Sequence, residues 1–125
     1  MYWYTCCTKS DIEQTLEPGQ TFELHWLAEN EPRLPLLTQR YVTLSAALVG
    51  PYVDPTRNVA NRDIRTVTAP DVTADTWEAQ APVSSIVLPK DLAPGLYQLH
   101  TITILDPQTR GEFSRSMGVI RVGGT

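Results

Sequence analysis

Along most of the chain apolar residues recur at every second position, the period of a strand with one face buried. In TFELHWLA (residues 21–28), Phe22, Leu24, Trp26 and Ala28 share one face, while Glu23 and His25 take the other. The same alternation, less regular, marks YVTLSAAL (41–48), VSSIVL (83–88), LYQLHTITIL (96–105) and EFSRSMGVIRV (112–122). Weaker strand signals lie at residues 2–7, at 64–68 and around Trp77. Ten prolines and seven glycines interrupt the chain too often for long helices. One short helix is expected between residues 10 and 16: Ser10 and Glu13 have capping-box spacing, Ile12 and Leu16 are four apart, and Pro18-Gly19 ends the pattern. The expectation is an all-β domain of about seven to eight antiparallel strands, packed as a two-sheet sandwich.

Two stretches echo each other. LEPGQTFEL (16–24) and LAPGLYQL (92–99) both run through Pro-Gly into an aromatic residue and a leucine two further on. Proline sets φ near −65° and glycine accepts positive φ, so each Pro-Gly reads as a tight turn feeding a strand. The flanking residues do not match, so these are two strand entries and not a repeat.

The segment from Leu88 to Val122 resembles the last three strands of bacterial and viral immunoglobulin-like domains. Leu92, Pro94, Gly95 and Tyr97 match that family's Leu-x-Pro-Gly-x-Tyr corner, and Asp106-Pro107 to Gly111 match its polar hairpin. LEPGQTFELHW is similar to the family's second strand. The resemblance covers about two-thirds of the chain and implies an immunoglobulin-like β-sandwich. It also implies that the Tyr97 hydroxyl bonds backbone upstream and that Trp26 is a core aromatic. Intracellular proteinase inhibitors, envelope accessory domains and phage capsid decoration proteins all share this architecture.

At 125 residues the chain can bury roughly two-thirds of its unfolded surface, enough for one core. The expected division is an N-terminal apolar strand or arm at residues 1–10 and an immunoglobulin-like β-sandwich domain at 11–125. With 19% charged residues and a net charge of −4, nucleic acid is disfavoured as a partner. No basic, apolar leader opens the chain and no run reaches the roughly 18 to 20 apolar residues of a membrane span, so no signal peptide, no membrane insertion and synthesis in the cytoplasm are expected. Every charge between Asp11 and Glu31 is acidic, whereas Arg33, Arg40, Arg57, Arg62 and Arg65 dominate the stretch from residue 33 to residue 65. Copies could therefore attract head to tail if those segments occupy different faces.

Candidate chemistry is sparse. Adjacent Cys6 and Cys7 on a strand would point to opposite faces, so two reduced thiols are expected in place of a disulfide or metal site. His25 and His100 lack a third ligand at metal spacing. Ser114 and Ser116 lie in the last strand, with no nucleophile elbow anywhere. Asp71 and Asp75 pair in a proline-bounded loop without sugar platforms. With Asp54, Asn58, Asn61 and Asp63 they supply oxygen donors for calcium, but at no EF-hand spacing. No catalytic residue, metal or cofactor is assigned.

Two stretches look built for contact. In MYWYTCC both faces are apolar, placing Tyr2, Trp3 and Tyr4 in a strand that wants cover on both sides. Residues 49–75 read as a long loop carrying Tyr52, Arg57, Arg62 and Arg65, residue types that interfaces favour. The expected function is thus a non-enzymatic structural protein, one subunit of a larger assembly, with a virion protein such as a capsid decoration protein as the most concrete case. A loop-inserting proteinase inhibitor and a carbohydrate-binding or envelope accessory domain are the alternatives.

Overall fold

The computed structural model describes residues 2–30, 40–54, 59–106 and 111–123. In chain order the elements are β1 (Tyr2–Thr5), α1 (Lys9–Ile12), β2 (Thr21–His25), β3 (Leu27–Asn30), β4 (Tyr41–Asp54), β5 (Val59–Thr68), β6 (Val72–Asp75), β7 (Val83–Val87), β8 (Gly95–Asp106) and β9 (Gly111–Val122). The strand pairs are antiparallel: β1 with β3, β2 with β7, and a larger sheet in the order β5-β4-β8-β9, with β6 also on β4. Leu16 adds a parallel bridge to Val122, held by Leu16 N–H to the Arg121 carbonyl (2.9 Å) and Gly123 N–H to the Leu16 carbonyl (2.7 Å).

Period-two patterning carries the core. Phe22, Leu24 and Trp26 join Leu44, Ala46, Leu48, Ile86, Tyr97, Leu99, Ile120 and Val122 in one buried cluster. The fold is all-β and β-sandwich-like. Leu92 is buried and Gly95 takes φ +146, where a Cβ would stand 2.9 Å from the Pro51 Cβ. The Tyr97 hydroxyl donates to the Ala93 carbonyl at 2.6 Å, while Pro94 at the same turn is exposed. Burial also raises the Tyr97 pKa. The Trp26 indole N–H donates to Ser84 Oγ at 2.8 Å, so the polar tips of Tyr97 and Trp26 are both satisfied in the core.

Several sequence expectations need correction. Residues 49–75 are not a long loop. The end of β4 runs into a hairpin with β5, and β6 resumes the pairing on β4 (Leu44 opposite Val72, Ala47 opposite Thr68). Pro70 hides this continuity in the sequence, because it interrupts one β partner without ending it. At the start of the chain β1 pairs with β3, and Tyr4, Cys6 and Cys7 join the core. Cys6 and Cys7 do not alternate across a strand: both are buried, with their sulfurs in contact. The alternation rule failed there because the strand stops at Thr5. The helix begins earlier than expected, with Thr8 as N-cap and no side-chain cap bond, so Ser10 and Glu13 form no capping box.

Candidate interaction surface

The most organised polar cluster on the described surface is built on Asp75, the last residue of β6. Its carboxylate is buried, with side-chain exposure of 4%. Oδ2 accepts hydrogen bonds from Arg40 Nε (3.0 Å) and Nη2 (2.9 Å), and Oδ1 accepts from the Trp77 backbone N–H (2.8 Å). The Asp75 N–H donates to Gln80 Oε1 at 2.9 Å. The paired Arg40 guanidinium holds the Asp75 carboxyl below the usual carboxylate range despite burial, and Asp75 in turn raises the Arg40 pKa.

That ion pair sets a stack. The Arg40 guanidinium lies 4.9 Å from the Trp77 ring centroid and 5.2 Å from that of Tyr41. Both rings are exposed, Tyr41 by 53% and Trp77 by 59%. Cation–π contacts of this kind contribute about 0.5–1 kcal/mol each at exposed sites. Here they hold two large apolar rings and a cation in a fixed arrangement, so little rotamer entropy remains to be lost on binding.

β1 borders this cluster. Tyr2 N–H donates to the Thr76 carbonyl (2.7 Å), and Thr76 N–H donates to the Arg40 carbonyl (2.7 Å). The Tyr4 hydroxyl lies 2.7 Å from the Asp75 carbonyl and 3.0 Å from that of Glu78, and accepts from the Gln80 N–H at 3.2 Å. Burial pushes the Tyr4 phenol up. Tyr2 and Trp3 are half-buried, whereas Tyr4 is a core side chain at 2% exposure and offers no surface to a partner. The aromatic opening of the chain therefore buttresses the Arg40 stack, and its strand already has an in-chain partner.

The second expected contact region lies elsewhere. Tyr52 is half-buried near the far end of β4, and Arg65 is exposed on β5, where it pairs with Asp91 at 3.1 Å. Arg62 falls within β5, and Arg57 lies outside the described residues. At about 3.3 Å per residue, Tyr41 and Tyr52 sit about 35 Å apart along one strand. The two regions do not form one surface. Sequence reasoning missed Arg40, Tyr41 and Trp77 as a unit because nothing in their spacing links residue 40 to residue 77. The pairing of β4 with β6 does so, through Tyr41 opposite Asp75.

A smaller polar cluster joins α1 to β2. Asp11 Oδ2 accepts from the His25 backbone N–H at 2.7 Å, and both carboxylate oxygens lie 3.1 Å from His25 Nδ1. Ser10, Gln14, Thr21 and Glu23 line the adjoining depression. Burial alone would raise the Asp11 pKa. Hydrogen bonds from the His25 backbone, Thr8 and the His25 ring outweigh it, so the carboxyl is held below its ordinary value. Asp11 acts as a tie between the short helix and the strand end. Among the described residues no group of three His, Cys, Asp or Glu could hold a metal ion, and no helix is long and apolar enough to cross a membrane.

No protein-family model matches the chain, and no curated protein is recovered as its relative.

Proposed function

We propose that this protein is an immunoglobulin-like β-sandwich that works without catalysis, as a contact subunit of a larger assembly. The surface at the Arg40–Tyr41–Trp77 stack is its docking face. The observation that carries this reading is the exposure of both rings around a cation already positioned by a buried carboxylate. Tryptophan, tyrosine and arginine are the residues in which binding energy concentrates at interfaces. The immunoglobulin-like assignment is supported by the tyrosine corner at Tyr97, the Trp26 core position and the parallel Leu16–Val122 bridge. A virion protein decorating a phage capsid is the most concrete form of the proposal.

The test is site-specific photocrosslinking in the native host, from position 77 and from the exposed Glu17 as control. A discrete crosslinked partner from position 77 alone supports the reading. Equal labelling from both positions, or none, defeats it.

A carbohydrate-binding role is the second reading, favoured by the same two exposed rings. Arg40 lies over both of them, which leaves only their outer faces for a sugar. Glycan-array binding that is lost in Trp77→Ala would move the conclusion there.

A further inference from the structure

The edges of the sheets differ in how they are protected. β5 carries Arg62, Asp63 and Arg65 and pairs with β4 through two register shifts. β9 carries Glu112, Arg115 and Arg121 and is bridged at its end by Leu16. The free side of β1 is met by Thr76 at Tyr2. Charges, bulges and covering segments are the usual ways in which an edge is kept from pairing with another chain. β7, Val83-Ser84-Ser85-Ile86-Val87, has no charge, no proline and no register shift, and among the described residues it pairs with β2 alone.

Its hydrogen-bonding phase can be worked out. Leu88 N–H donates to the Gln20 carbonyl (2.9 Å) and Trp26 N–H to the Pro82 carbonyl (3.0 Å). In an antiparallel ladder bonded pairs recur every second residue, so Phe22–Ile86 and Leu24–Ser84 are the bonded pairs between them. The backbone N–H and C=O groups of Val83, Ser85 and Val87 therefore point away from β2, along the open edge. The side chains of Val83 and Val87, exposed by 40% and 64%, stand on the outer face of the same strand. β5 approaches β7 without hydrogen bonding to it.

We infer that β7 is the seam of a two-fold homodimer, in which the β7 strands of two copies pair antiparallel about Ser85. This goes beyond the docking face proposed above, since it concerns a different surface and either can fail alone. The edge is complementary to itself. With Ser85 opposite Ser85 of the second copy, Val83 faces its Val87 and Val87 faces its Val83. All three are bonded pairs, each exchanging two N–H···O bonds. The register thereby satisfies every outward backbone group of the strand. It also sets two valine–valine contacts on the outer face, replacing water on the most exposed apolar side chains of that strand. Pro89, the next outward position beyond Val87, cannot donate, so the ladder is bounded on that side. Electrostatics do not oppose it. The nearest acidic neighbours, Glu23 of each copy, lie three strand spacings apart, about 14 Å, beyond the roughly 8 Å screening length of physiological salt. A closed two-fold contact of this kind is isologous, so it stops at the dimer.

The test uses the full chain in sedimentation over a concentration series, together with Ser85→Pro and Val87→Lys. Ser85→Pro removes one outward N–H that the β2 ladder does not use. Val87→Lys replaces both valine–valine contacts with a charged side chain of the kind that keeps a strand edge from pairing, without touching the core. The expected result is a wild-type mass that rises to twice the monomer, with both variants held at the monomer and Val87→Lys showing unchanged circular dichroism. Ser85 amide exchange should slow as concentration rises. A wild type that stays monomeric throughout overturns the inference. So does a dimer that persists in Val87→Lys, and one that is lost instead in Trp77→Ala belongs to the Arg40 face.

Discussion

Removing the hydroxyl of Tyr4 tests whether the opening strand is part of the body of the protein. The group is 2% exposed and meets three backbone partners: the carbonyls of Asp75 and Glu78 and the N–H of Gln80. Tyr4→Phe keeps the ring and its packing, so the change isolates the polar contacts. A lost hydrogen bond is worth about 1 kcal/mol net, and a buried N–H left without an acceptor costs about 1–3 kcal/mol more. A total of about 2–4 kcal/mol is expected. For 125 residues, an unfolding entropy of about 2.1 cal/mol/K per residue converts this into a fall in Tm of about 8–15 °C. Differential scanning calorimetry reads it directly, with Tyr41→Phe as the exposed control expected within about 0.5 kcal/mol of wild type. A Tyr4→Phe protein melting within about 2 °C of wild type, a difference of about 0.5 kcal/mol on the same conversion, would refute the claim that this hydroxyl anchors β1 to residues 75–80.

Acid stability and core packing give two further outcomes. The folded pKa of Asp11 lies below its ordinary value, so below about pH 4 the unfolded chain binds the proton more readily and the stability this group contributes is lost as pH falls. Urea midpoints measured from neutral pH downward should therefore fall less steeply in Asp11→Asn than in wild type, with the remaining acid loss coming from Asp75 and Asp91, whose pKa values are also lowered; parallel curves would remove Asp11 from the account. In Gly50→Ala the new Cβ would stand 2.7 Å from Tyr97 Cδ2 and 3.0 Å from the Leu96 carbonyl oxygen, an overpacking expected to cost about 1–3 kcal/mol, and an unchanged denaturation midpoint would contradict that close approach.

Much of the fold was legible in the pattern of the chain. Period-two alternation marked β2, β4, β7, β8 and β9, because a half-buried strand must divide its side chains between core and solvent. The Leu-x-Pro-Gly-x-Tyr run marked the corner, since proline and glycine supply backbone angles that few other residues adopt. The misreadings share a cause. β5 and β6 lacked a clean apolar stripe, and strand exits at Thr5 and Pro70 are settled by what the neighbouring strand offers.

By itself, then, the sequence determined the class: all-β, with Phe22, Leu24 and Trp26 turned inward, since local alternation and turn chemistry act over a few residues. Only the tertiary structure decided the surfaces. Pairing of β4 with β6 carries Trp77 to Arg40, and the absence of a described partner beyond β7 leaves the outward groups of Val83, Ser85 and Val87 on an edge. Both depend on which strands become neighbours across tens of residues, a choice made by the packing of the whole core and invisible in any short window of the chain.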